Sequence, residues 1–225
     1  MSLIFNNIDK MSFDDLGEES EFIPLMTSED EEALEKENLP EVLPILPLTN
    51  TVLFPGVVIP INAGRDKSIK LINDANKSNK LIGVIAQKDI KIENPSIENI
   101  FNIGTVAKIL RVLKMPDGNT TVIIQGKKRF KIKSVVKTDP YIQATINSIT
   151  DKNQKKSNSK FTATIDAIKD IALKIIKENP NIPSEASFAI KNIHSPAFLI
   201  NFVCSNMNIT VKDKQDLLSS LNIEN

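Results

Sequence analysis

The chain has few of the residue types on which catalytic and metal sites depend. Its 225 residues include one cysteine, one histidine, one tyrosine and no tryptophan. A single cysteine excludes a disulfide within the chain, and a single histidine excludes a metal or serine-histidine site built on several histidines. No run approaches the roughly 18 apolar residues of a membrane span, and the first residues lack the pattern of a signal peptide. We therefore expect a cytoplasmic protein with no membrane partner.

The single histidine and the single cysteine both have plain structural interpretations. His194 stands before Ser195 and Pro196, a helix N-cap with proline at the first helical position, so we expect a role at a helix junction. Cys204 lies in the most apolar predicted helix, where it is expected to be a small core residue. The sequence predicts no catalytic, cofactor-binding or metal-binding residue, which leaves binding as the expected function.

The charge is distributed unevenly, although the formal net charge of the chain is zero. Residues 1–41 hold thirteen acidic side chains and two lysines, a net charge of −11, so the remainder carries +11. Within this acidic leader, Ser28–Glu37 has the sequence SEDEEALEKE, which is acidic enough to stay solvated. We expect a disordered leader. The alternative is that it folds back on the basic body or docks another subunit, contacts that salt would weaken.

The stretch Leu46–Arg65 is nearly uncharged and holds three prolines and two glycines. Most of it must therefore be buried or bind something apolar. Proline cannot donate a hydrogen bond to a sheet, so the pattern predicts a short edge strand over Leu46–Leu48, a turn at Pro55 and Gly56, and an extended run over Val57–Ile61.

Residues 42–150 have the pattern of a mainly β structure with one helix, in which short apolar runs are separated by turn residues. Apolar residues at helical spacing predict a helix over Asp66–Ser78. Short apolar or alternating runs predict strands, and Asp117 with Gly118 predicts a hairpin turn. Six or so short strands with one helix predict a small, strongly bent sheet or a half-open barrel. The strands after the helix are predicted at Leu81–Ala86, Ile103–Leu113, Thr121–Gln125, Lys127–Val135 and Tyr141–Ile149.

After a polar linker at 151–159 the pattern becomes helical. Residues 160–225 predict four helices. Ser184 is a candidate cap for the second, and Thr210, with Asp213 three residues later, resembles a capping box for the fourth. The fourth helix barely begins before Asn225, so we expect the natural protein to continue. The fold class is therefore α+β: a leader at 1–41, a β subdomain at 42–150, the linker, and a helical subdomain at 160–225. The first helix is predicted to bury one apolar face, formed by Phe161, Ile165, Ile168, Ala172, Ile175 and Ile176.

Several ordered blocks resemble the N-terminal domain of Lon proteases. The opening signature consists of Leu46–Leu48, Val52–Gly56, Pro60 and Gly64–Ser68. One departure is Thr49, where the family often has a basic residue. The resemblance extends over nearly the whole chain, with later blocks at Ala86–Asp89, Ile103–Ala107, Leu113–Gly118, Gly126–Phe130, Ile182–Ile193, Leu199 and Lys214–Leu218.

This resemblance implies a PUA-like β subdomain followed by a helical subdomain. Together they would form the substrate-recognition and assembly domain of an ATP-dependent serine protease, a homohexamer that degrades misfolded, damaged and short-lived regulatory proteins. ATP and Mg²⁺ are expected for the AAA+ module of the parent protein, and a serine-lysine dyad for its protease module. Neither module is in this sequence, where Thr121 replaces the first glycine that a phosphate loop ending at Gly126 and Lys127 requires.

Recognition of exposed hydrophobic segments in unfolded proteins is the first functional hypothesis. An apolar groove would supply affinity, and unpaired strand edges would tolerate varied sequences. The alternative is that the apolar residues of this region are ordinary core residues and a loop anchor. The candidates for substrate binding are Leu53, Phe54, Val57, Val58 and Met115.

Charged residues supply two further candidate surfaces. Arg65, Asp66 and Lys67 open the predicted helix, and the resemblance makes them candidates for a substrate or intersubunit contact. The rival hypothesis is nucleic-acid binding through a basic strand face, although few aromatic residues are present to stack bases and a solvated face is the simpler interpretation. A free-standing adaptor is the third hypothesis. The phosphate-contact candidates are Lys127, Arg129, Lys131 and Lys133.

Overall fold

The structure, a computed structural model, describes residues 39–115, 120–149, 159–179 and 185–220. These residues form a mixed α/β fold, and a short 3₁₀ helix at Ile97–Asn99 precedes the fourth strand. The strands are β1 (Val42–Leu48), β2 (Val58–Ala63), β3 (Leu81–Ala86), β4 (Ile103–Lys114), β5 (Thr120–Lys137) and β6 (Gln143–Ser148). The helices are α1 (Asp66–Lys77), α2 (Ser159–Glu178), α3 (Glu185–Asn192), α4 (Pro196–Asn206) and α5 (Val211–Ser219).

The six strands form one sheet in the order β2-β5-β4-β3-β1-β6. Strand β6 pairs with both β1 and β5, so the sheet curves back on itself, as the strand pattern predicts. Only β1 and β3 are parallel neighbours; the other pairs are antiparallel. The parallel pair is possible because β2 and α1 lie between β1 and β3 in the chain and form the crossover.

The predicted strand at Leu46–Leu48 is present but is the second half of a longer strand, and among the described strands this half pairs on one side only, with β3. Strand β1 has neighbours on both sides, since Ile45–Leu48 pairs with β3 and Val42–Pro44 pairs with β6. Pro44 and Pro47 each remove one donor, but the remaining backbone groups still find partners; for example, Ile45 N–H donates to the carbonyl of Ile142 at 2.8 Å. The prolines therefore lie in a strand that changes partner along its length, so that Leu46–Leu48 has one side without a partner among the described strands.

The turn at Pro55 and Gly56 is confirmed. Gly56 has φ of 79°, and the N–H of Val57 donates to the carbonyl of Phe54 at 3.3 Å. Proline followed by a residue with positive φ is the pattern of a type II turn. Gly56 N–H then donates to the carbonyl of Gly126 at 2.9 Å, which aligns the start of β2 with the middle of β5.

Strand β5 is one strand of 18 residues, whereas the sequence predicted two strands divided at Gly126. The ladder between β4 and β5 continues past this glycine with a shift in register between Thr105 and Ala107. The apparent break is thus a bulge, which adds a residue on one strand without ending it.

The buried residues fall into two hydrophobic clusters. The first contains residues of β1, β2, α1 and the first part of β5 at Val122 and Ile124, together with helical residues such as Ile190, Phe198 and Leu218. The second lies around Leu43, Phe130 and their neighbours. Because the first cluster draws on both parts of the chain, helices α3, α4 and α5 pack on the same core as the sheet. The linker lies almost entirely outside the described residues, so the proposed division into subdomains stays a prediction.

Two helix starts are confirmed. Ser195 Oγ accepts from Phe198 N–H at 3.0 Å with Pro196 at the first helical position of α4, and Thr210 Oγ1 accepts from Asp213 N–H at 3.1 Å to cap α5. His194 lies exposed in the junction between α3 and α4. The predicted cap Ser184 and the predicted turn at 117–118 fall outside the described residues. Within the part of the chain that the structure describes, no helix has the length and hydropathy needed to span a membrane.

Candidate functional site

A cleft of about 490 Å³ lies between the first turn of α1 and the turn that joins β5 to β6. Ile45, Leu46 and Pro47 of β1 contribute to its lining, and the loop at 93–97 closes one side. This volume falls within the range of ligand pockets, about 300–1,000 Å³. The residues of the two facing walls are Arg65, Lys67, Ser68 and Leu71 from α1, and Val135, Thr138, Asp139, Tyr141 and Ile142 from the strand connection.

Arg65 is fixed in this cleft by a buried glutamine. It occupies the N-cap position of α1 with an extended backbone, and its Nη2 donates to Gln87 Oε1 at 3.0 Å. Gln87 is 1% exposed, and its Nε2 donates to the carbonyls of Ile92 at 2.9 Å and Asp89 at 3.3 Å. The glutamine thereby ties the α1 start to the loop that follows β3, so Arg65 is held in one orientation.

A second contact joins α1 to the wall formed by the strand connection. Tyr141 donates its hydroxyl hydrogen to Asp74 Oδ2 at 3.1 Å. Burial of the ring and the hydrogen bond to the Asp74 carboxylate raise the pKa of Tyr141 above its ordinary value of 10.0. Asp74 is on α1, so this bond spans from the helix to the residue that follows the turn.

The cleft offers the chemistry of binding. Its floor is apolar, while Arg65 and Lys67 on one wall face a rim that includes Glu93 and Asp139. None of its lining residues is a histidine or cysteine, and the described ranges contain no group of three or more histidine, cysteine and carboxylate residues placed to hold a metal ion. An extended peptide with apolar side chains and flanking charges matches such walls.

Three of the predicted substrate-binding residues are core residues. Leu53, Phe54 and Val57 are 2%, 1% and 3% exposed, so the prediction that they line an open groove is wrong. The Pro55-Gly56 turn folds the segment inward, and α1 together with β5 covers it in the first cluster. Val58 and Met115 are half-buried, at the start of β2 and just after β4.

Two of the three predicted contact residues at the start of α1 lie in the same cleft. Arg65 and Lys67 both line the cleft, while Asp66 is exposed in the first turn and is not among the lining residues. At that position Asp66 favours the positive end of the helix dipole. Their role in a substrate or intersubunit contact stays a prediction.

The predicted basic strand face does not include Arg129, which the structure buries. Arg129 is 6% exposed; its Nη1 donates to the carbonyl of Ser220 at 2.6 Å and its Nη2 to Asn201 Oδ1 at 3.3 Å. It therefore faces helices α4 and α5 and is not available to a phosphate. Lys131 and Lys133 are exposed, and Lys127 is half-buried.

An exposed apolar surface on α2 and α3 was missed by sequence reasoning. Ile171 and Phe188 are each 60% exposed and Ile175 is 41% exposed; we call these three residues the apolar helical surface. The two helices are joined where Lys169 Nζ donates to the carbonyls of Lys191 and Ile193 at 3.3 and 2.9 Å. The prediction that α2 buries Ile175 is wrong, since that side chain is 41% exposed. The other predicted face residues Ile165, Ala172 and Ile176 are partly buried against the first cluster. A signal was present: isoleucines at 168, 171 and 175 widen the apolar stripe of α2 beyond one face.

Cys204 shows no sign of a reactive thiol. It is half-buried on α4 and packs against the first cluster. Burial raises the pKa of its thiol above 9.0, and a raised pKa disfavours the nucleophilic thiolate. The expectation of a small core residue is met in part, since Cys204 packs against the first cluster but is only half-buried.

Residues 42–225 match the family model described as the ATP-dependent protease La (LON) substrate-binding domain. The chain is 62% identical to the Lon protease of Flavobacterium johnsoniae over 212 residues, which cover 94% of this chain and 26% of that protein. It is 50% identical to the Lon protease of Cytophaga hutchinsonii over 198 residues, covering 88% of this chain and 24% of that protein. The chain thus spans about a quarter of the length of these relatives.

Two solved structures share the fold. One is the N-terminal domain of a Mycobacterium avium complex Lon protease, with a TM-score of 0.65 and 19% identity; the match covers 81% of this chain and 92% of that chain. The other is a Lon N-terminal domain protein from Xanthomonas campestris, with a TM-score of 0.59, 14% identity and the same coverage. At these identities the likeness concerns the fold alone.

Proposed function

The chain belongs to the family of Lon protease substrate-binding domains, and from that premise we propose that it binds exposed hydrophobic segments of unfolded polypeptides. The parent protein would be an ATP-dependent serine endopeptidase that forms a homohexamer in the cytoplasm and degrades misfolded, damaged and short-lived regulatory proteins. ATP and Mg²⁺ would bind outside these residues, since the sequence has no phosphate loop. The PUA-like description of the β part belongs to this proposal and is supported by the closure of the sheet through the pairing of β5 with β6, with one α-helix between β2 and β3 in the chain.

The observation that carries the proposal is the apolar helical surface. Ile171 and Ile175 are four residues apart, so they lie next to each other on one side of α2. Phe188, on the helix packed against α2, adds an aromatic ring at 60% exposure. Contiguous exposed apolar patches mark interaction sites, whereas single exposed apolar residues are common on protein surfaces.

The chemistry of this surface suits a partner without a fixed sequence. Burial of apolar area contributes about 25 cal/mol per Å² and has no directional requirement. Aliphatic contacts therefore accept many different side chains, whereas hydrogen-bonded recognition rejects most of them. Unfolded polypeptides present the apolar side chains that folded proteins bury, so they are the partner that this surface selects.

Binding of the 225-residue chain to a labelled, permanently unfolded polypeptide, measured by fluorescence anisotropy, tests the proposal. We expect the double variant Ile171→Ser, Phe188→Ser to weaken binding at least fivefold, and the wild-type affinity to survive about 500 mM NaCl because the contact is apolar. Ile90→Ser is the matched control, since Ile90 is also 60% exposed but lies in the loop after β3. Equal losses in both variants, or binding abolished by salt, would contradict the proposal.

The α1 residues supply a second proposed contact. Arg65 is oriented by its hydrogen bond to Gln87, and Lys67 lines the same cleft. A substrate or a neighbouring subunit that enters the cleft would therefore meet two cationic side chains. Nucleic-acid binding is less well supported, because burial removes Arg129 from the strand face. DNA therefore remains a secondary partner in this proposal.

A further inference from the structure

Three lysines form an exposed row on the second half of β5. Lys131 and Lys137 are opposite Asn147 and Gln143 of β6, and Lys133 occupies a register shift between them. All three are exposed. We call Lys131, Lys133 and Lys137 the lysine row.

The chain enters the sheet beside this row. The carbonyl of Glu41 accepts from Ile146 N–H at 2.9 Å, and Val42 is opposite Thr145 on β6. On the far side of β6, Thr145 is opposite Ser134 of β5, and their hydroxyls are 3.3 Å apart. One strand therefore separates the first residues of β1 from the lysine row, and the row begins about 10 Å from Val42 at the usual strand spacing.

The residues that precede this entry point carry the opposite charge. Ser28–Glu37 holds six acidic side chains and one lysine. Five residues of extended chain span about 16 Å, so the distance from Val42 to the row is within reach of Glu37 and of the acids before it. The same block also contains two apolar residues, Ala33 and Leu34. Val42 and Val136, which are 42% and 56% exposed, offer apolar side chains beside the row.

From this juxtaposition we propose that the acidic block Ser28–Glu37 docks on the lysine row of the same chain. The leader and the body carry net charges of −11 and +11, so attraction between them is strong at low ionic strength. A covalent tether of a few residues gives the block an effective concentration in the millimolar range. A separate polyanion must therefore compete with the tethered block for the lysine row.

Carbodiimide cross-linking of the full chain tests the proposal, since this reagent couples carboxylates to lysine amines that touch them. At about 50 mM NaCl we expect cross-links from the acids of 29–37 to Lys131, Lys133 or Lys137. They should be at least fivefold more abundant than cross-links to Lys70 and Lys77, which are equally exposed on α1. At about 500 mM NaCl the preference should disappear. A preference for α1, or no preference at low salt, would overturn the proposal.

Mixing chains of natural and ¹⁵N content separates docking within one chain from docking between copies. Cross-links of mixed mass would overturn docking within the chain. A second measurement needs no lysine substitution. It compares the rate at which a small reagent acetylates the lysine row in the wild type and in a variant of the acidic block. A variant with the six acids of the block replaced by their amides should show at least threefold faster acetylation of the row and unchanged rates at Lys70 and Lys77. Equal rates at the row in both chains would also overturn the proposal.

Discussion

The guanidinium of Arg129 on β5 donates a hydrogen bond at 2.6 Å to the carbonyl oxygen of Ser220, the residue that ends α5. These residues are 91 positions apart in the chain. A second bond from Arg129 reaches Asn201 on α4. Gln215 of α5 adds a parallel connection, since its Nε2 donates to the carbonyl of Ile103 on β4 at 2.9 Å. The sheet and the last two helices are thus joined by buried polar contacts as well as by apolar packing.

We expect Arg129→Met to destabilise the protein by about 2–4 kcal/mol, because loss of a buried charged donor leaves the carbonyl of Ser220 and the amide of Asn201 without their partner. Arg129→Lys should restore only part of this loss, since an ammonium cannot reproduce the planar fork. Urea unfolding measures both variants. The control is Lys131→Met at an exposed site on the same strand, expected to change stability by less than about 0.5 kcal/mol. Equal effects at 129 and 131 would contradict the buried placement.

The block Gly126–Phe130, which carries part of the family resemblance, has structural reasons for three of its residues. Arg129 joins sheet to helices, Phe130 is 0% exposed in the second cluster, and Gly126 lies against the carbonyl oxygen of Phe54. Gly126 also donates to the carbonyl of Val57 at 2.9 Å. Packing alone can thus account for the residue types of a motif recognised by resemblance, with no contact to a substrate.

Gly126→Ala should destabilise the protein by about 3 kcal/mol or more, because the added Cβ would collide with the backbone oxygen of Phe54 and backbone cannot yield as a side chain does. The expected sign is a lower urea midpoint with an unchanged slope. Lys133→Ala, on the same strand and exposed, is the control and should be nearly neutral. A stable Gly126→Ala variant would mean that the backbone of Phe54, in the segment before β2, does not approach β5 this closely.

Local signals predicted much of the fold. The Pro55-Gly56 turn, the Ser195-Pro196 and Thr210 caps and the helix after Gly64 follow from chemistry within four residues, and all are present. Features that depend on distant partners were not predictable in this way. Arg129 alternates with Lys131 as a solvated face would, and only helices 72 and 91 residues later in the chain bury it.

The same dependence on distant contacts explains why the predicted substrate groove was wrong. Leu53, Phe54 and Val57 have the composition of either a core or an apolar binding site, and no periodicity distinguishes these two cases in a segment interrupted by proline. Conversely, Ile171 and Phe188 were expected in helices that pack, but their exposure depends on which faces α2 and α3 turn to the sheet. Whether a helix or strand face is covered depends on tertiary packing. The candidate site was therefore less predictable from the sequence than the helices and strands on which it lies.

Phe54→Ala should cost about 3–5 kcal/mol, the usual loss for a fully buried phenylalanine. Val58→Ala, four residues later at a half-buried position, should cost less than about 1.5 kcal/mol because fewer contacts are lost. Urea unfolding followed by circular dichroism measures both. If Phe54→Ala retained wild-type stability and lost only polypeptide binding, the residue would belong to an open groove after all.

Burial lowers the pKa of Lys214, whose Nζ donates to the carbonyl of Ser205 at 2.6 Å near the end of α4. The unfolded chain therefore binds more protons than the folded chain between the lowered pKa and 10.5. Stability from this group is gained as pH rises through that window, by at most about 1.4 kcal/mol per pH unit. Relative to Lys214→Met, the wild type should become more stable as the pH rises from the lowered pKa of Lys214 towards 10.5. A constant difference between the two proteins across this range would contradict the shift.

Tyr141 allows a direct titration, because the chain has one tyrosine and no tryptophan. Its hydroxyl donates to Asp74 at 3.1 Å, and burial together with that bond raises its pKa above 10.0. The phenolate is disfavoured since it would lose the bond and face the carboxylate. The contribution to stability is therefore present below pH 10.0 and lost as pH rises through the raised pKa.

Absorbance of the phenolate should rise with a midpoint above 10.0 in the wild type and move down in Asp74→Asn, which removes the charge that opposes ionisation. Asp66→Asn on the same helix is the matched control and should leave the midpoint in place, since Asp66 is exposed in the first turn and makes no contribution to this shift. Circular dichroism at each pH verifies that the chain is folded. An identical midpoint in wild type and Asp74→Asn would show that the tyrosine does not bridge α1 and the strand connection, and the wall of the cleft would then be free to move.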